Sequence, residues 1–301
     1  MEDDPQARWI AAMRAGDFAA AHSISDAVLA ARDRERRDNP NLPYHLRWVW
    51  DGRAFDNRHV LVRCYHGLGD TLQFARFLPF LSARAASVYV EAPPPLLPLL
   101  ALVPGPVLFL PFRLATPTAP RECDIEIMEL FHALRVGRSA IPPPPDLRVP
   151  ALRIGTRAIG LCWAAGDWDP ARSVPLARLL LACAGCRLRF VSLQRGTAAS
   201  SAISSRFINP GDNNTSLIRS AGLIRGLELV ITVDTMIAHL AGTLGVPAWV
   251  LLRRNADWRW MAGRDDSPWY PGMRLYRQES EGDWEVPLAR VRSDLKRLGA
   301  S

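Results

Sequence analysis

Lysine is nearly missing from this chain. Lys296 is the only one in 301 residues, so arginine supplies 36 of the 37 basic side chains. Genomic base composition can replace lysine with arginine throughout a proteome, so the scarcity does not by itself point to a chemistry. Cysteine is also sparse. Five residues (Cys64, Cys123, Cys162, Cys183, Cys186) make no even disulfide framework. Cys183-Ala-Gly-Cys186 has C-x-x-C spacing, but no second pair follows at finger spacing, so the two read as small apolar residues at a helix end. Long apolar runs are lacking too. The longest, near Pro93–Leu114, is broken by prolines and Gly105 and cannot be a spanning helix of about 20 residues. The start, Met1-Glu2-Asp3-Asp4, has neither the basic residues nor the apolar run of a secretory signal, so a cytoplasmic protein is expected. There is no G-x-G-x-x-G fingerprint and no Walker lysine, which argues against dinucleotide and P-loop chemistry.

What is present is ordinary globular material, 49% hydrophobic and 22% charged, which excludes disorder as the main state. The length suggests about two domains, on a prior of roughly 100–200 residues each. The net charge of +7 is unevenly placed. Residues 151–301 carry 20 basic and 13 acidic side chains, while the first 150 residues balance to zero. An anionic partner is therefore expected in the second half. The charge is not in runs and no recognition motif appears, so nucleic acid is not that partner.

Residues 7–31 read as two short helices, with Trp9, Ile10, Met13 and Phe18 and then Ala21, Ile24, Val28 and Leu29 near helical spacing. Gly16-Asp17 makes the turn, and one such hairpin must pack on something else. Arg32–Pro43 reads as a linker. From His59 strands and helices alternate: strands at 59–65, 87–91, 107–111 and 124–128, helices at 72–84 and 96–103, with Pro79 expected to kink the first of these. Pro142–Pro145 forms an extended spacer. The alternation restarts with strands at 158–163, 188–193, 227–233 and 247–252, helices at 176–184, 216–225 and 235–244, and a closing helix at 286–298. This rhythm predicts parallel sheets covered on both faces, in two Rossmann-like halves. The expected divisions are 1–58 (hairpin and linker), 59–146 and 147–301, with the last helix returning toward the first domain.

Four loops follow strands and could carry chemistry. Tyr65-His66-Gly67-Leu68-Gly69-Asp70-Thr71 opens a helix; Gly67 and Gly69 allow close backbone approach, and Asp70 is either an N-cap or a general base. Trp163-Ala164-Ala165-Gly166 precedes Arg172 and Ser173, which are phosphate-binding candidates or plain solvated residues; Gln194 and Arg195 end the next strand in the same way. Asp234-Thr235 opens a helix on whose wheel Ile237, Leu240, Ala241 and Leu244 form the buried stripe. Thr235, His239 and Gly242 share the opposite face, suited to a diphosphate. The competing reading has Asp234 as a cap and His239 as an exposed residue. Asp257-Trp258-Arg259-Trp260 and Asp266–Pro271 hold dense aromatics that either stack on a base or sugar or pin the loop to its domain.

Taken together, HGLGDTLQFARFLPFL (66–81), GLCWAAG (160–166), RSVPL (172–176), RFVSLQRG (189–196), DTMIAHLAGTLGVPAWVLL (234–252) and DWRWMAGRDDSPWYPGMRLYRQ (257–278) resemble bacterial heptosyltransferase-like glycosyltransferases of GT-B type. The branch most similar carries this domain after tetratricopeptide repeats. The resemblance covers roughly residues 59–298. It implies two Rossmann-like domains facing a cleft, an inverting transfer from a nucleotide-diphosphate sugar such as ADP-heptose, and no obligatory metal or other cofactor. The donor would bind the second domain. The acceptor, a glycan, lipid or protein hydroxyl, would bind the first. Asp70 matches the family's proposed general base. Gly69, Trp163, Arg172, Ser173, Gln194, Asp234, Thr235, His239 and Gly242 fall in its donor-binding blocks. Leu252-Arg253-Arg254-Asn255 departs from the usual small or apolar residues. A silent nucleotide-sugar-binding module and a nucleotide-sugar epimerase are the competing functions.

Overall fold

The computed structural model describes residues 4–32, 39, 41–47, 50–154, 157–166, 169–185, 187, 189–196, 198–199, 207–208 and 216–300. Most of the expected linker 32–43, and Cys186 of the C-x-x-C pair, lie outside them. The chain divides into two compact units, Met1–Arg148 and Val149–Ser301.

The first unit opens with α1 (Pro5–Ala15) and α2 (Phe18–Ala30). Asp4 and Asp17 cap their N-termini through side-chain oxygens, and Gly16 ends α1 at φ 73°, a left-handed turn that favours glycine. The hairpin does pack on something else. Phe18 meets Phe131 edge-on at 4.9 Å, and Asp26 ion-pairs with Arg135. A short α3 (Tyr44–Arg47) precedes β1 (His59–Arg63). The helical region after β1 is broken as Pro79 predicts: α4 (Leu68–Phe74), a 3-10 turn over Ala75–Phe77, then α5 (Leu78–Ser82). There follow β2 (Ser87–Ala92), α6 (Leu97–Leu100), β3 (Val107–Pro111), β4 (Cys123–Glu126) and α7 (Leu130–Ala133).

Among the described residues, β1–β4 form one parallel sheet in the order β3-β2-β1-β4. β1 is apolar except at its ends, as a strand covered on both faces should be. Its last residue, Arg63, is fully buried and ion-pairs with Glu91 of β2 at 3.0 Å and Asp124 of β4 at 2.8 Å. The Tyr44 hydroxyl also donates to Glu91, which fastens α3 to the sheet.

The second unit contains β5 (Ala158–Cys162), α8 (Leu176–Ala182), β6 (Arg189–Ser192), β7 (Phe207–Ile208), α9 (Leu217–Arg225), β8 (Leu229–Val233), α10 (Met236–Thr243), β9 (Ala248–Leu252), β10 (Met273–Arg277) and α11 (Glu285–Ala300). Its described strands form a parallel sheet in the order β10-β9-β8-β5-β6-β7. The order reverses between β5 and β8, and in the first sheet between β1 and β4. In open sheets of this kind, ligands bind outside the strand carboxyl ends at such reversals. α11 packs on α8 and β10, and Asp294 accepts from Tyr276 at 2.9 Å. Buried Ile159, Leu161, Phe190, Ile231, Val233, Leu251 and Trp284 belong to the core cluster of this unit. Cys183 joins that core.

Candidate functional site

Each sheet brings a cluster of candidate residues to its reversal point. In the first unit the loop after β1 leads through Gly67 into α4. Gly67 is the N-cap of α4 and has no side chain with which to cap the helix; Asp70, three residues on, makes the other half of a capping box. Its Oδ2 accepts the Gly67 N–H at 2.9 Å. Asp70 is half-buried, with Gly69 beside it. Gly67 is the tightly placed glycine here, because a Cβ on it would lie 3.1 Å from that same Oδ2. Asp70 is thus not the N-cap itself but the N3 residue that accepts the N-cap's N–H, and it does so at the carboxyl end of a central strand.

Sequence reasoning missed Glu126 next door. It ends β4 in register with Arg63, and is buried to 3% exposure. Burial, then the nearby carboxylates of Glu129 and Asp70, push its carboxyl well above the usual range, although Met128 N–H donates to it at 2.7 Å. Its position at a strand's carboxyl end was the available signal.

In the second unit the loop after β5 is organised by Gln194. Its Oε1 accepts from the N–H groups of Trp163 (3.0 Å) and Ala164 (2.9 Å), and its Nε2 donates to the carbonyls of Ala164 and Arg195. Gln194 therefore holds the loop's shape. Ser173 does the same from the other end, accepting Ala165 N–H at 3.0 Å. Trp163 is a core residue, 4% exposed. These three residues shape the site from behind.

Arg172 reaches across the reversal point. Its Nη1 donates to the Asp234 carbonyl at 2.9 Å and lies 3.8 Å from the Asp234 carboxylate, while its Nε lies 3.4 Å from Asp169. Asp169 was not foreseen; its i, i+3 spacing to Arg172 was the signal. Asp169 also binds Arg253, at 3.4 Å to both terminal nitrogens. Arg253 follows β9, so the loops after β5, β8 and β9 meet at this cluster. Asp234 is buried. Desolvation first, then the Asp257 carboxylate, raise its pKa to about 6 against the pull of Arg172. Thr235 is the true N-cap of α10, accepting Ile237 N–H at 3.3 Å, and it is half-buried. The N-terminus of α10, where partial positive charge gathers, thus lies beside Arg172, which donates to the Asp234 carbonyl that precedes it.

Two expectations about α10 need correction. The face carrying His239 and Gly242 is not open. His239 is 5% exposed, stacks on Trp260 at 5.4 Å and hydrogen-bonds the Tyr270 hydroxyl through Nδ1 at 3.2 Å. A Cβ on Gly242 would lie 2.4 Å from the Tyr270 ring and 2.6 Å from Met273. The glycine admits an aromatic ring. A helical wheel cannot show a covering loop whose Tyr270 lies 31 residues beyond His239. Trp260, Trp269 and Tyr270 are each 1% exposed, so these aromatics pin their loop to the domain. Trp258 is half-buried and carries the Arg259 guanidinium 4.3 Å over its ring.

No family model matches the chain. A stretch of 81 residues is 33% identical to Protein FlbA of Caulobacter vibrioides, which is 27% of this chain and spans only 13% of that relative's length. Among solved structures the chain is similar to E. coli heptosyltransferase WaaC with ADP, at TM-score 0.54 and 12% identity over 80% of this chain and 98% of that one. It is likewise similar to the E. coli ADP-heptose lps heptosyltransferase II, at TM-score 0.56 and 15% identity over 81% and 100%. The fold is α/β and GT-B-like, with two parallel sheets and a leading helix pair. No described helix is long and apolar enough to cross a membrane.

Proposed function

We propose that the chain is an inverting glycosyltransferase that moves a sugar from a nucleotide-diphosphate donor to an acceptor hydroxyl. The observation carrying this reading is the cluster of Arg172, Asp234 and Thr235 at the mouth of α10, on the reversal point of a parallel sheet. A guanidinium beside the positive end of a helix dipole suits a diphosphate. The fold neighbours carry ADP or are named for ADP-heptose, which makes ADP-heptose the first donor to test. We read the α1–α2 hairpin as a vestige of tetratricopeptide repeats.

Asp70 takes the proton of the acceptor hydroxyl as its oxygen attacks the anomeric carbon from the face opposite the diphosphate. A hydroxyl is a poor nucleophile at neutral pH, so a positioned carboxylate lowers the barrier. As the anomeric C–O bond breaks, its electron pair leaves with the diphosphate. Arg172 and the first turn of α10 stabilise the charge where it develops. In this reading the arginine and the helix terminus take the role a metal ion would otherwise fill, and transfer persists in EDTA. His239 and Gly242 contribute by seating the aromatic loop, while Trp163, Ser173 and Gln194 shape the loop that presents Arg172.

The direct test is a thermal-shift screen of the full chain against nucleoside diphosphates and nucleotide sugars, followed by calorimetry on each ligand that shifts. Ligand at about 100 times its Kd stabilises by about 2.7 kcal/mol, which is readily visible. The reading expects stabilisation by one nucleoside diphosphate and its sugar. A flat response across the panel sinks it.

A further inference from the structure

Arg253 follows β9 at a position where the resembled glycosyltransferases carry small or apolar residues, and nothing in the proposed reaction has yet used it. The structure gives it a specific place. One carboxylate, Asp169, is shared between two guanidinium groups. Its Oδ2 lies 3.4 Å from Arg172 Nε and 3.4 Å from Arg253 Nη2, and its Oδ1 lies 3.4 Å from Arg253 Nη1. The Arg253 Nε donates to the Asn255 carbonyl at 3.1 Å, which fixes the plane of the fork.

These distances are long for charge-assisted bonds, which are typically about 2.7–2.9 Å. Asp169 therefore spans the pair loosely. Its side chain is 14% exposed, Arg172's is 13% and Arg253's is 31%. The pair is thus partly desolvated, and Arg253 is the member that reaches toward solvent. Two guanidinium groups from different loops, joined at one monoanion and beside a helix N-terminus, fit a dianion better than a monoanion. Asp234, the other carboxylate here, is engaged with Arg172 through both its carbonyl and its side chain, and also interacts with Trp260 and Arg259. The neighbouring Arg254 takes no part, since it donates to the Glu279 carbonyl at 2.6 Å.

We propose that Arg253 is a second donor-binding residue, which with Arg172 forms a two-arginine clamp for the diphosphate and makes the site selective for nucleoside diphosphates over monophosphates. This rests on the glycosyltransferase reading above. Arg172 engages the phosphate nearer α10. Arg253 engages the phosphate that becomes the terminal one when the sugar departs, and Asp169 keeps the two guanidinium groups apart at the right spacing in the free protein.

The test is calorimetry of ADP against AMP, with UDP and UMP as a second pair, on the wild-type chain, Arg253→Gln, Arg253→Lys, Arg172→Gln and Asp169→Asn. Arg253→Gln is expected to weaken diphosphate binding roughly tenfold or more, the scale of one lost charged hydrogen bond. Monophosphate binding should stay within about twofold, and Arg253→Lys should restore part of the loss because charge returns without the fork. Asp169→Asn should keep the preference for diphosphate. Two results overturn the proposal and leave the glycosyltransferase reading intact. One is wild-type diphosphate affinity in Arg253→Gln while Arg172→Gln loses it. The other is an equal loss of diphosphate and monophosphate in both Arg253→Gln and Asp169→Asn, which would make Arg253 a support for Arg172. If the thermal-shift panel points to another base, its diphosphate and monophosphate replace the adenine pair, and failure of the wild-type chain to bind any nucleoside diphosphate of the panel overturns both readings together.

Discussion

Replacing Asp234 by asparagine should stabilise the protein at neutral and alkaline pH, with no gain in acid. Asp234 is 7% exposed, and burial with the facing Asp257 lifts its pKa from 3.8 to about 6 despite Arg172. Below pH 4 the group is protonated in both folded and unfolded chains, so it contributes no pH dependence. Between about pH 4 and 6 the unfolded chain ionises while the folded chain still holds the proton. The folded state then binds more protons, and stability falls as pH rises. Above about pH 6 both forms are ionised and the cost is constant. A shift of roughly two units at about 1.4 kcal/mol each amounts to about 3 kcal/mol. Urea unfolding of wild type and Asp234→Asn at intervals from pH 4 to 8 measures it directly. The two stability profiles should diverge by about that amount between pH 4 and 7 and run parallel above. Parallel profiles over the whole range would refute the claim that Asp234 is held against its burial by this cluster.

Other perturbations follow from the same packing. Gly242→Ala gains about 1 kcal/mol of helix propensity, but its methyl meets a ring tethered through His239. Overpacking costs about 1–3 kcal/mol, so denaturant melts should show a net loss of up to about 2 kcal/mol; a gain would mean that Tyr270 is not fixed. Arg63→Met strands Glu91 and Asp124 in the core of the first sheet and should cost about 3–5 kcal/mol, read in the same melts. Docking of the N-terminal hairpin should weaken in acid. His132 sits 3.3 Å from His22, and burial holds its pKa near 4 while also lowering that of His22. Such depressed groups stabilise the fold above about pH 6.5, and that contribution fades as pH falls toward 4. Limited proteolysis should therefore release Pro5–Ala30 faster at pH 4.5 than at pH 7.5, and equal rates would remove the histidine pair from the docking.

Much of the fold was legible because parallel, doubly covered strands announce themselves as apolar runs between helices, as HVLVR and LVITV do. The kink in the first helical region was legible because Pro79 cannot continue a ladder of N–H donors. β10 was hidden, since MRLYR mixes charge into a short strand after a turn-rich aromatic loop. α3 was too short for periodicity to register. The candidate site was legible where one loop supplies both the residue and its setting, as at Asp70 and Thr235. It was not legible where distant segments converge. Asp169 and Arg253 stand 84 residues apart in the chain, and the ring filling the space above Gly242 comes from beyond the next strand. Those contacts decide whether a glycine faces a ligand or a tyrosine.

The central claim is that Asp70 is the base of a sugar transfer. Asp70→Asn isolates it, because the amide oxygen can still accept the Gly67 N–H and keep the start of α4 intact. The measurement is transfer from whichever nucleotide sugar binds the wild-type chain, alongside calorimetry of its nucleoside diphosphate. The expected rate is lower by roughly 10²–10⁴-fold, with diphosphate affinity unchanged. Transfer at the wild-type rate by Asp70→Asn would contradict it.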